Sequence, residues 1–375
     1  MKIMAVNWRD IENPEAGGAE VHLHEILKHL GEWGHQVAQI SAGFPGGDRE
    51  KEIDGIRVMR TGRWFDANFA LPLFARKHFR NNEYDVILED INKIPFFMPL
   101  YTDIPVLPVI PHLFGTTVFQ ETNRLIGTYV VTAEKLIPRV FRDSRFMVIS
   151  PSTREDLVQR GVDPERISVV LCGLDHDRFH HAGLERFEQP TVVHLGRLRK
   201  YKGVEIALSA VRIAREKIPG LRFVIIGDGP HREPLENKVR EMELEDTVEF
   251  KGYIDFDELV DFLNRGHLLV NPSPKEGWGL TVVEANACGM PVVASDSPGL
   301  RDSVIHGETG FLVPHGDENS FADRIVQLIR DEQLWQKLSR GGIERVSKLT
   351  WERCARETET VIREFLDDYR GEETV

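Results

Sequence analysis

The sequence predicts an α/β protein with two doubly wound domains in tandem, each built on a parallel sheet. Short apolar, β-branched runs alternate with amphipathic helical stretches along the 375 residues. Such alternation is typical of parallel sheets, because a helix must carry the chain back between successive strands. The pattern loosens once, in a charged stretch between Cys172 and Pro190, and then resumes. This single interruption indicates a linker between two domains.

Ten runs have the composition of buried strands. Five lie in the first half, at residues 3–6, 37–40, 86–88, 106–110 and 146–149. Five lie in the second half, at residues 192–195, 223–226, 248–250, 268–270 and 292–294. We therefore expect a first domain over residues 1–172 and a second over residues 173–350, followed by an amphipathic helix over residues 351–369.

Composition excludes several classes of protein. Hydrophobic residues make up 41% of the chain, enough for a full core in each domain, and no apolar run approaches the roughly 20 residues of a membrane span. The first residues contain too few apolar side chains for a signal peptide. The three cysteines, Cys172, Cys288 and Cys354, lie far apart, which favours reduced thiols and a cytoplasmic location. A net charge of −13 disfavours nucleic acid as a partner.

The segment from Ser273 to Glu284 has the composition of a site for phosphates and hydroxyls. It follows an expected strand and opens a helix, with glycines at positions 277 and 279. Glycines let backbone amides approach an anion, and a helix N-terminus adds positive partial charge. Glu276 would lie in the loop and Glu284 on the helix, where their carboxylates could accept hydrogen bonds from hydroxyl groups. A surface turn with helix-capping acids is the alternative that these residues alone leave open.

Two more segments follow expected strands of the second half. Residues 196–203 (Gly-Arg-Leu-Arg-Lys-Tyr-Lys-Gly) hold four cations within six positions. The carboxyl end of a parallel strand is where α/β sheets bind phosphate, and Arg and Lys both pair with phosphate oxygens. A solvated basic loop is the alternative. Residues 227–230 (Gly-Asp-Gly-Pro) form a tight turn that is a weak signal when taken singly.

In this order, the segments resemble the retaining nucleotide-sugar glycosyltransferases of group 1 or family 4, which share a Glu-x7-Glu motif. The resemblance extends over essentially the whole chain and rests on eight segments: residues 17–20, 196–203, 227–230, 252–253, 276–284, 287–294, 307–313 and 350–352. It implies a GT-B fold, in which an acceptor-binding and a donor-binding Rossmann-like domain face a central cleft. It also implies that the last helix packs back on the first domain. Trp278 stands where relatives often have Phe, and Asp302 stands where Glu is more common.

The resemblance implies a role for each matching residue. Arg197 and Lys202 would neutralise the diphosphate leaving group, Glu276 would bind a hydroxyl of the transferred sugar, and Glu284 would bind the ribose. The amides of residues 277–279 would hold the distal phosphate, and the loop at residues 252–254 would flank the base. The donor-binding positions so implied are Gly17, Gly18, Gly196, Gly227, Tyr253, Ile254, Gly277, Trp278, Gly279, Leu280 and Glu284.

His112 is the expected catalytic residue of the first domain. It follows the strand at residues 106–110 and matches a family His near the transferring sugar; a loop His that caps local backbone is the alternative. The implied mechanism is electrostatic: the diphosphate departs, and the acceptor attacks from the same face. No Asp-x-Asp metal motif stands in a suitable place, so we expect no metal site. No cofactor is expected, because the nucleotide sugar is a substrate.

Two basic segments bear on the acceptor. Residues 57–80 hold six cations (Arg57, Arg60, Arg63, Arg76, Lys77 and Arg80) with Trp64 and four phenylalanines interleaved. Residues 124–145 hold five more (Arg124, Lys135, Arg139, Arg142 and Arg145). Such segments can seat a helix on an anionic membrane or receive a phosphorylated acceptor. Ordinary surface helices with their apolar face in the core are the alternative, so peripheral contact with the inner face of the membrane is here a hypothesis.

Two other readings of the function remain open. A nucleotide-sugar epimerase or a sugar phosphorylase uses the same two-domain scaffold, and a non-catalytic homologue would bind a nucleotide sugar without transferring it. The sequence leaves open whether the donor is UDP- or GDP-linked. It also leaves open whether the acceptor is a glycan, a glycolipid or a small molecule, and which oligomer forms.

Overall fold

The computed structural model describes residues 1–80 and 83–372. It consists of two compact α/β units. The first unit contains Met1–Gly173 and the chain from Trp351 onward, and the second contains Leu174–Thr350.

The first unit is built on one sheet of eight strands within the described residues. These are β1 (Lys2–Val6), β2 (Gln36–Ala42), β3 (Glu50–Ile53), β4 (Ile56–Thr61), β5 (Val86–Asp90), β6 (Val106–Ile110), β7 (Phe146–Val148) and β8 (Ile167–Val169), in the order β3-β4-β2-β1-β5-β6-β7-β8. Every pair is parallel except the hairpin of β3 and β4. The sequence did not predict β3, β4 or β8. The strand order reverses between β1 and β5, the usual place for a ligand site in such a sheet.

Helices cover this sheet on both faces. They are α1 (Gly18–Glu32), α2 (Ala67–Phe79), α3 (Arg124–Val140) and α4 (Pro151–Gln159), with short 3-10 turns at Met98–Leu100, Gly115–Gln120 and Pro164–Arg166. Buried residues of α2 and the end of α3 join one apolar cluster with Met4 and Val6 of β1. Alternate residues of a strand point to opposite faces, so α2 and α3 lie over the same face of the sheet.

The second unit is built on a fully parallel six-stranded sheet. Its strands are β9 (Thr191–Leu195), β10 (Arg222–Ile226), β11 (Val248–Gly252), β12 (Leu268–Asn271), β13 (Val292–Ser295) and β14 (Gly310–Val313), in the order β11-β10-β9-β12-β13-β14. Its helices are α5 (Val204–Arg215), α6 (Arg232–Glu241), α7 (Phe256–Arg265), α8 (Leu280–Ala287), α9 (Leu300–Ser303), α10 (Glu318–Arg330) and α11 (Glu332–Val346). Here the order reverses between β9 and β12. Two parallel-sheet α/β domains confirm the predicted fold class.

The last helix, α12 (Trp351–Glu372), belongs to the first unit. It packs against α1: the ring centroids of His22 and Trp351 are 6.2 Å apart, and His35 Nε2 lies 3.1 Å from Glu359 Oε1. Apolar side chains of α12 such as Ile362 are fully buried. The chain therefore leaves the first unit, builds the second, and returns to complete the first.

Candidate functional site

The loops that follow β9 and β12 leave the second unit's sheet side by side. The two strands are neighbours at the point where the strand order reverses. In parallel sheets this place forms a crevice beyond the carboxyl ends of the strands. The cationic segment after β9 and the Glu276 segment after β12 both begin there.

Lys202 and Glu276 are brought into direct contact by these two loops. Lys202 Nζ lies 2.5 Å from Glu276 Oε1, and the two side chains are only 17% and 14% exposed. Burial alone would lower the pKa of Lys202, but the neighbouring Glu276 carboxylate reverses this, and the net pKa is raised. The ammonium group is therefore charged at neutral pH and held in one place by a carboxylate.

Gly227 fixes the position of the cationic loop through the backbone. Its φ is +120°, and a Cβ at this position would overlap the carbonyl oxygen of Gly196. This close approach lets Gly196 N donate to Ile226 O at 3.0 Å and Leu198 N donate to Asp228 O at 3.0 Å. Gly196 and Gly227 therefore join the loops after β9 and β10 into one rigid surface that carries Arg197.

Three consecutive amides precede helix α8. Gly279, with φ +89°, is the N-cap residue, and α8 begins at Leu280. The backbone N–H groups of Gly277, Trp278 and Gly279 donate no hydrogen bond to a residue in the described part of the chain. Donors of this kind at a helix N-terminus form an anion site.

Glu284 lies on α8 in a half-buried position. Burial raises the pKa of its carboxyl group to about 7, against the opposing charge of Arg178. The Arg178 guanidinium in turn lies 4.0 Å from the centroid of the Phe256 ring. Near pH 7 the Glu284 carboxyl group is therefore present in both its neutral and its charged form. Arg178 was not predicted as a site residue, because Glu284, whose pKa its charge affects, is 106 residues away in the sequence.

The loop after β11 carries the two residues expected to flank a base. Tyr253 is 78% exposed, and Ile254 is half-buried. Both follow Gly252, whose carbonyl oxygen accepts from Gly227 N at 2.8 Å. This hydrogen bond ties the loop after β11 to the loop after β10.

His194 was missed by the sequence analysis. Its Nδ1 donates to Val270 O at 3.1 Å, and its Nε2 is buried without a partner in the described residues. Burial lowers the pKa of His194 to about 4, so the ring is neutral at pH 7. The charges of Lys202 and Glu276 both act on it. The signal that could have revealed it is a polar residue within the apolar run of β9.

In the first unit, Gly17 and Gly18 stand at the start of α1. Gly17 N donates to Glu20 Oε2 at 2.7 Å, so the Glu20 side chain caps the start of α1. Glu20 Oε1 accepts from Asn92 Nδ2 at 3.2 Å. The turn before α1 is therefore tied to the segment that follows β5.

A buried polar network joins the ends of β1 and β5. Asn92 Nδ2 donates to Asn7 Oδ1 at 3.1 Å, and Asn7 Nδ2 donates to Asp90 Oδ2 at 3.3 Å. Burial first, and the nearby Glu20 carboxylate second, raise the pKa of Asp90 well above its usual value. These residues were not predicted, although polar residues at the ends of apolar strands were the available signal.

His112 follows β6 in a half-exposed position. Its ring centroid lies 5.0 Å from that of Phe114. The buried carboxylate of Glu134 accepts from Phe114 N at 2.6 Å and from Gly115 N at 3.0 Å, and it also pairs with Arg160 at 3.2 Å. A buried acid on α3, which the sequence analysis missed, thus holds the turn beside His112.

One residue of the predicted basic segments is not on the surface. Arg60 donates to both carboxylate oxygens of Asp10 at 2.8 Å, and its side chain is 2% exposed. Its charge is already neutralised inside the first unit, because β4 places it beside the loop after β1. Arg60 must therefore be removed from the set that could meet a membrane or a phosphorylated acceptor.

Residues 1–80 and 83–372 contain neither a cluster of metal-binding side chains nor a membrane-spanning helix. No three side chains among His, Cys, Asp and Glu gather in a group that could hold a metal ion. No helix there is both long enough and apolar enough to cross a bilayer.

Both halves of the chain match known family models. Residues 16–178 match the model described as Glycosyltransferase Family 4, and residues 175–345 match the model described as Glycosyl transferases group 1. An uncharacterised glycosyltransferase of Methanocaldococcus jannaschii is 32% identical over 202 residues, which is 54% of this chain and 55% of that protein. The match therefore spans about half the length of that relative.

Solved structures share the fold over nearly the whole chain. Sucrose-phosphate synthase of Thermosynechococcus elongatus has a TM-score of 0.82 and 23% identity, covering 98% of this chain and 100% of the other. Anabaena HepE in complex with UDP and glucose has a TM-score of 0.79 and 19% identity, covering 97% and 100%. Both sheets, both family matches and these likenesses agree: the chain belongs to the group 1 and family 4 glycosyltransferases and has the GT-B fold.

Proposed function

We propose that the chain is a retaining transferase that moves a sugar from a nucleotide diphosphate sugar, UDP- or GDP-linked, to an acceptor that remains to be identified. The contact between Lys202 and Glu276, beside the three open amides before α8, carries this proposal. A fixed cation next to anion-binding amides suits a diphosphate, and an adjacent carboxylate suits a sugar hydroxyl. A phosphate site alone would not need the carboxylate.

In the proposed reaction, one bond at the anomeric carbon breaks and another forms in its place. The bond from this carbon to the β-phosphate oxygen breaks, and a bond from the acceptor oxygen to the same carbon forms on the same face. The acceptor proton passes to the leaving diphosphate, so atoms and charge balance. Lys202 and Arg197 stabilise the charge that develops on the diphosphate, which is the largest expected contribution to catalysis.

The remaining proposed roles follow the loops of each unit. In the second unit, the Glu284 carboxylate accepts hydrogen bonds from the ribose hydroxyls, and Tyr253 flanks the base. In the first unit, His112 contacts the transferred sugar, while Gly17 and Gly18 present the start of α1 to the diphosphate or the acceptor. We propose that no divalent cation is needed, because lysine and arginine provide the positive charge.

UDP is the first nucleotide to test. HepE, which shares the fold, was solved with UDP and glucose, and this supports a nucleotide-sugar donor for our chain. The cysteines Cys172, Cys288 and Cys354 are buried free thiols, which is in keeping with the cytoplasmic location that we propose.

Thermal shift with UDP, GDP, ADP, TDP and their common sugars tests the donor site. A ligand at ~100 times its dissociation constant adds about 2.7 kcal/mol of stability, which raises the melting temperature by several degrees. Lys202→Ala should abolish the shift. Lys200→Ala, an exposed cation of the same turn, is the matched control and should preserve it. A native protein that no nucleotide stabilises would contradict the proposal.

Product analysis separates transfer from the alternatives. A transferase releases nucleoside diphosphate only when an acceptor is present, whereas an epimerase converts the nucleotide sugar alone. NMR of the product then reports the anomeric configuration, and inversion would contradict the proposed retaining mechanism. Activity that disappears in a chelator and returns with a divalent cation would contradict the metal-independent mechanism.

A further inference from the structure

The first unit exposes an unusual amount of apolar surface. Ten of the thirteen large hydrophobic side chains that are exposed in the described residues lie between Trp64 and Leu136. Trp64 is 75% exposed, Phe69 is 68% exposed and Leu125 is 84% exposed. Isolated surface hydrophobic residues are normal, but a concentration of this kind marks an interaction site.

On α2 these side chains form one line along the helix. Phe69 and Leu73 are four residues apart, so they project from the same side of the helix, and the exposed Phe65 lies in the turn just before it. Arg76 and Arg80 continue this line toward the end of the helix. The opposite face is buried in the core. The helix α2 therefore has apolar side chains on both sides: Leu71 and Ala75 are in the core, while Phe69 and Leu73 are exposed.

On α3 the same arrangement recurs. Leu125, Tyr129 and Leu136 are exposed and lie within one stripe of the helix, at spacings of four and seven residues. Lys135 and Arg139 flank that stripe. The only acid of α3, Glu134, is fully buried and holds the turn beside His112. The exposed face of α3 thus carries apolar and cationic groups without an acid.

The two stripes belong to one side of the first unit. Leu71 and Ala75 of α2 share a buried cluster with Ile137 of α3 and with Met98 of the turn between them. Leu100, at the end of that turn, is 67% exposed. We call this side the α2–α3 surface: the exposed residues 63–80 and 124–139 together with Leu100.

The cations of the α2–α3 surface are not neutralised. Seven of them form no ion pair with a residue in the described ranges: Arg63, Arg76, Lys77, Arg80, Arg124, Lys135 and Arg139. Cations of the same segments that lie elsewhere do have partners, such as Arg57 with Glu50 and Arg145 with Asp368. The unpaired charges gather where the apolar side chains are exposed.

We propose that the α2–α3 surface docks the protein on a bilayer that contains anionic lipids. Apolar side chains with adjacent lysines and arginines fit the boundary between acyl chains and anionic headgroups. The chain as a whole has a net charge of −13 and would be repelled by such a bilayer, so the attraction must come from this local surface. This inference does not depend on the proposed transfer reaction.

Co-sedimentation with vesicles tests the proposal. The native chain should bind vesicles of phosphatidylcholine and phosphatidylglycerol in equal parts, and not vesicles of phosphatidylcholine alone. One cation near an anionic surface strengthens binding about fivefold, so Arg76→Ala with Lys77→Ala should weaken it about 25-fold. Arg212→Ala with Lys337→Ala, exposed cations of the second unit, is the matched control and should leave binding unchanged.

A second set of variants tests the exposed apolar side chains of the α2–α3 surface. Leu125→Ser with Tyr129→Ser should lower the partition coefficient on the order of tenfold or more, whereas Leu184→Ser, on the second unit, should not change it. Trp64 fluorescence should shift to the blue when vesicles are added. Trp64→Phe should remove that shift while the protein still binds. Because all of these side chains are exposed, the melting temperatures should match that of the native chain.

Three results would overturn the proposal. The first is a native chain that does not bind the anionic vesicles. The second is binding that the α2–α3 variants leave unchanged. The third is self-association in ultracentrifugation that the same variants abolish, with no vesicle binding, since the surface would then be an interface with a second copy.

Discussion

Arg60 and Asp10 form a doubly hydrogen-bonded ion pair inside the first unit, with both N–O distances at 2.8 Å. Neither side chain is more than 2% exposed. Ser41 adds a third hydrogen bond to Asp10 at 2.8 Å. The pair joins β4 to the loop after β1, which leads to Gly17.

Breaking this pair should destabilise the protein strongly. Arg60→Met leaves the Asp10 carboxylate buried without its partner, which typically costs about 3–5 kcal/mol. Arg57→Met, which breaks an exposed pair with Glu50, should cost about 1 kcal/mol or less. Urea denaturation measures both, and equal losses would show that Asp10 finds another partner.

The same pair predicts a loss of stability in acid. Burial alone would raise the pKa of Asp10, but hydrogen bonds and the charge of Arg60 lower the net pKa below 3.8. The contribution of Asp10 is therefore present above its ordinary pKa and is lost as the pH falls through the lowered one. Asp10→Asn should flatten the stability profile below about pH 4 in acid titrations followed by circular dichroism.

Donor binding should depend on pH through Glu284. Its folded pKa of about 7 is raised, so the carboxylate that would accept ribose hydroxyls forms only as the pH rises through this value. The affinity for a nucleotide sugar should therefore increase from pH 6 to pH 8, on the order of tenfold. The phosphates of a nucleotide sugar do not titrate in this range. Calorimetry on Glu284→Gln should find no such increase. If the affinity of this variant still rises with pH, a group other than Glu284 is responsible.

Gly227→Ala should disrupt the donor loop. The new Cβ would overlap Gly196 O as well as take an unfavourable φ, so we expect a loss of about 3 kcal/mol and of nucleotide binding. Gly307→Ala is the control, because its φ is +78° but no atom lies within 4 Å of the added Cβ. It should cost about 1 kcal/mol and preserve binding. Equal effects would mean that backbone conformation, rather than the contact with Gly196, decides the outcome.

His112→Ala should lower the turnover number without weakening the donor site. A positioned polar group that stabilises the transition state at the transferred sugar contributes on the order of 100-fold. The residue lies in the first unit, so the thermal shift with nucleotide should stay at the native value. Steady-state kinetics with an identified acceptor measures the change. A loss of the nucleotide shift would instead assign His112 to donor binding.

Much of the fold could be predicted from the sequence, because parallel strands in α/β proteins are continuous apolar runs. The hairpin of β3 and β4 escaped prediction, since β3 is mostly exposed and reads Glu-Lys-Glu-Ile. Asp54 and Gly55, with φ of 47° and 77°, form its turn, and an Asp-Gly pair was the signal available. The strands β8 and β14 also escaped prediction, although they are as long as β7 and β13, which were predicted.

The sequence predicted which residues belong to the candidate site, but not which of them touch each other. The sequence placed Lys202 and Glu276 after separate strands, but their contact depends on β9 and β12 being neighbours in the sheet. His194, Asp90 and Glu134 escaped notice because burial, and not residue type, makes them unusual. Both α2 and α3 bury an apolar face in the core, as the alternative expected, but they also leave other apolar side chains exposed, and the sequence pattern does not distinguish the two sets.

The return of α12 to the first unit has a consequence for synthesis. The second unit is inserted between Gly173 and Trp351, and its two ends meet where Leu174 N donates to Leu349 O at 3.0 Å. As the chain emerges from the ribosome, the second unit can close on itself while α1 still lacks the helix that covers it. The domain made first is therefore finished last, because His22, Trp33 and His35 gain their contacts with α12 only after that helix has been translated.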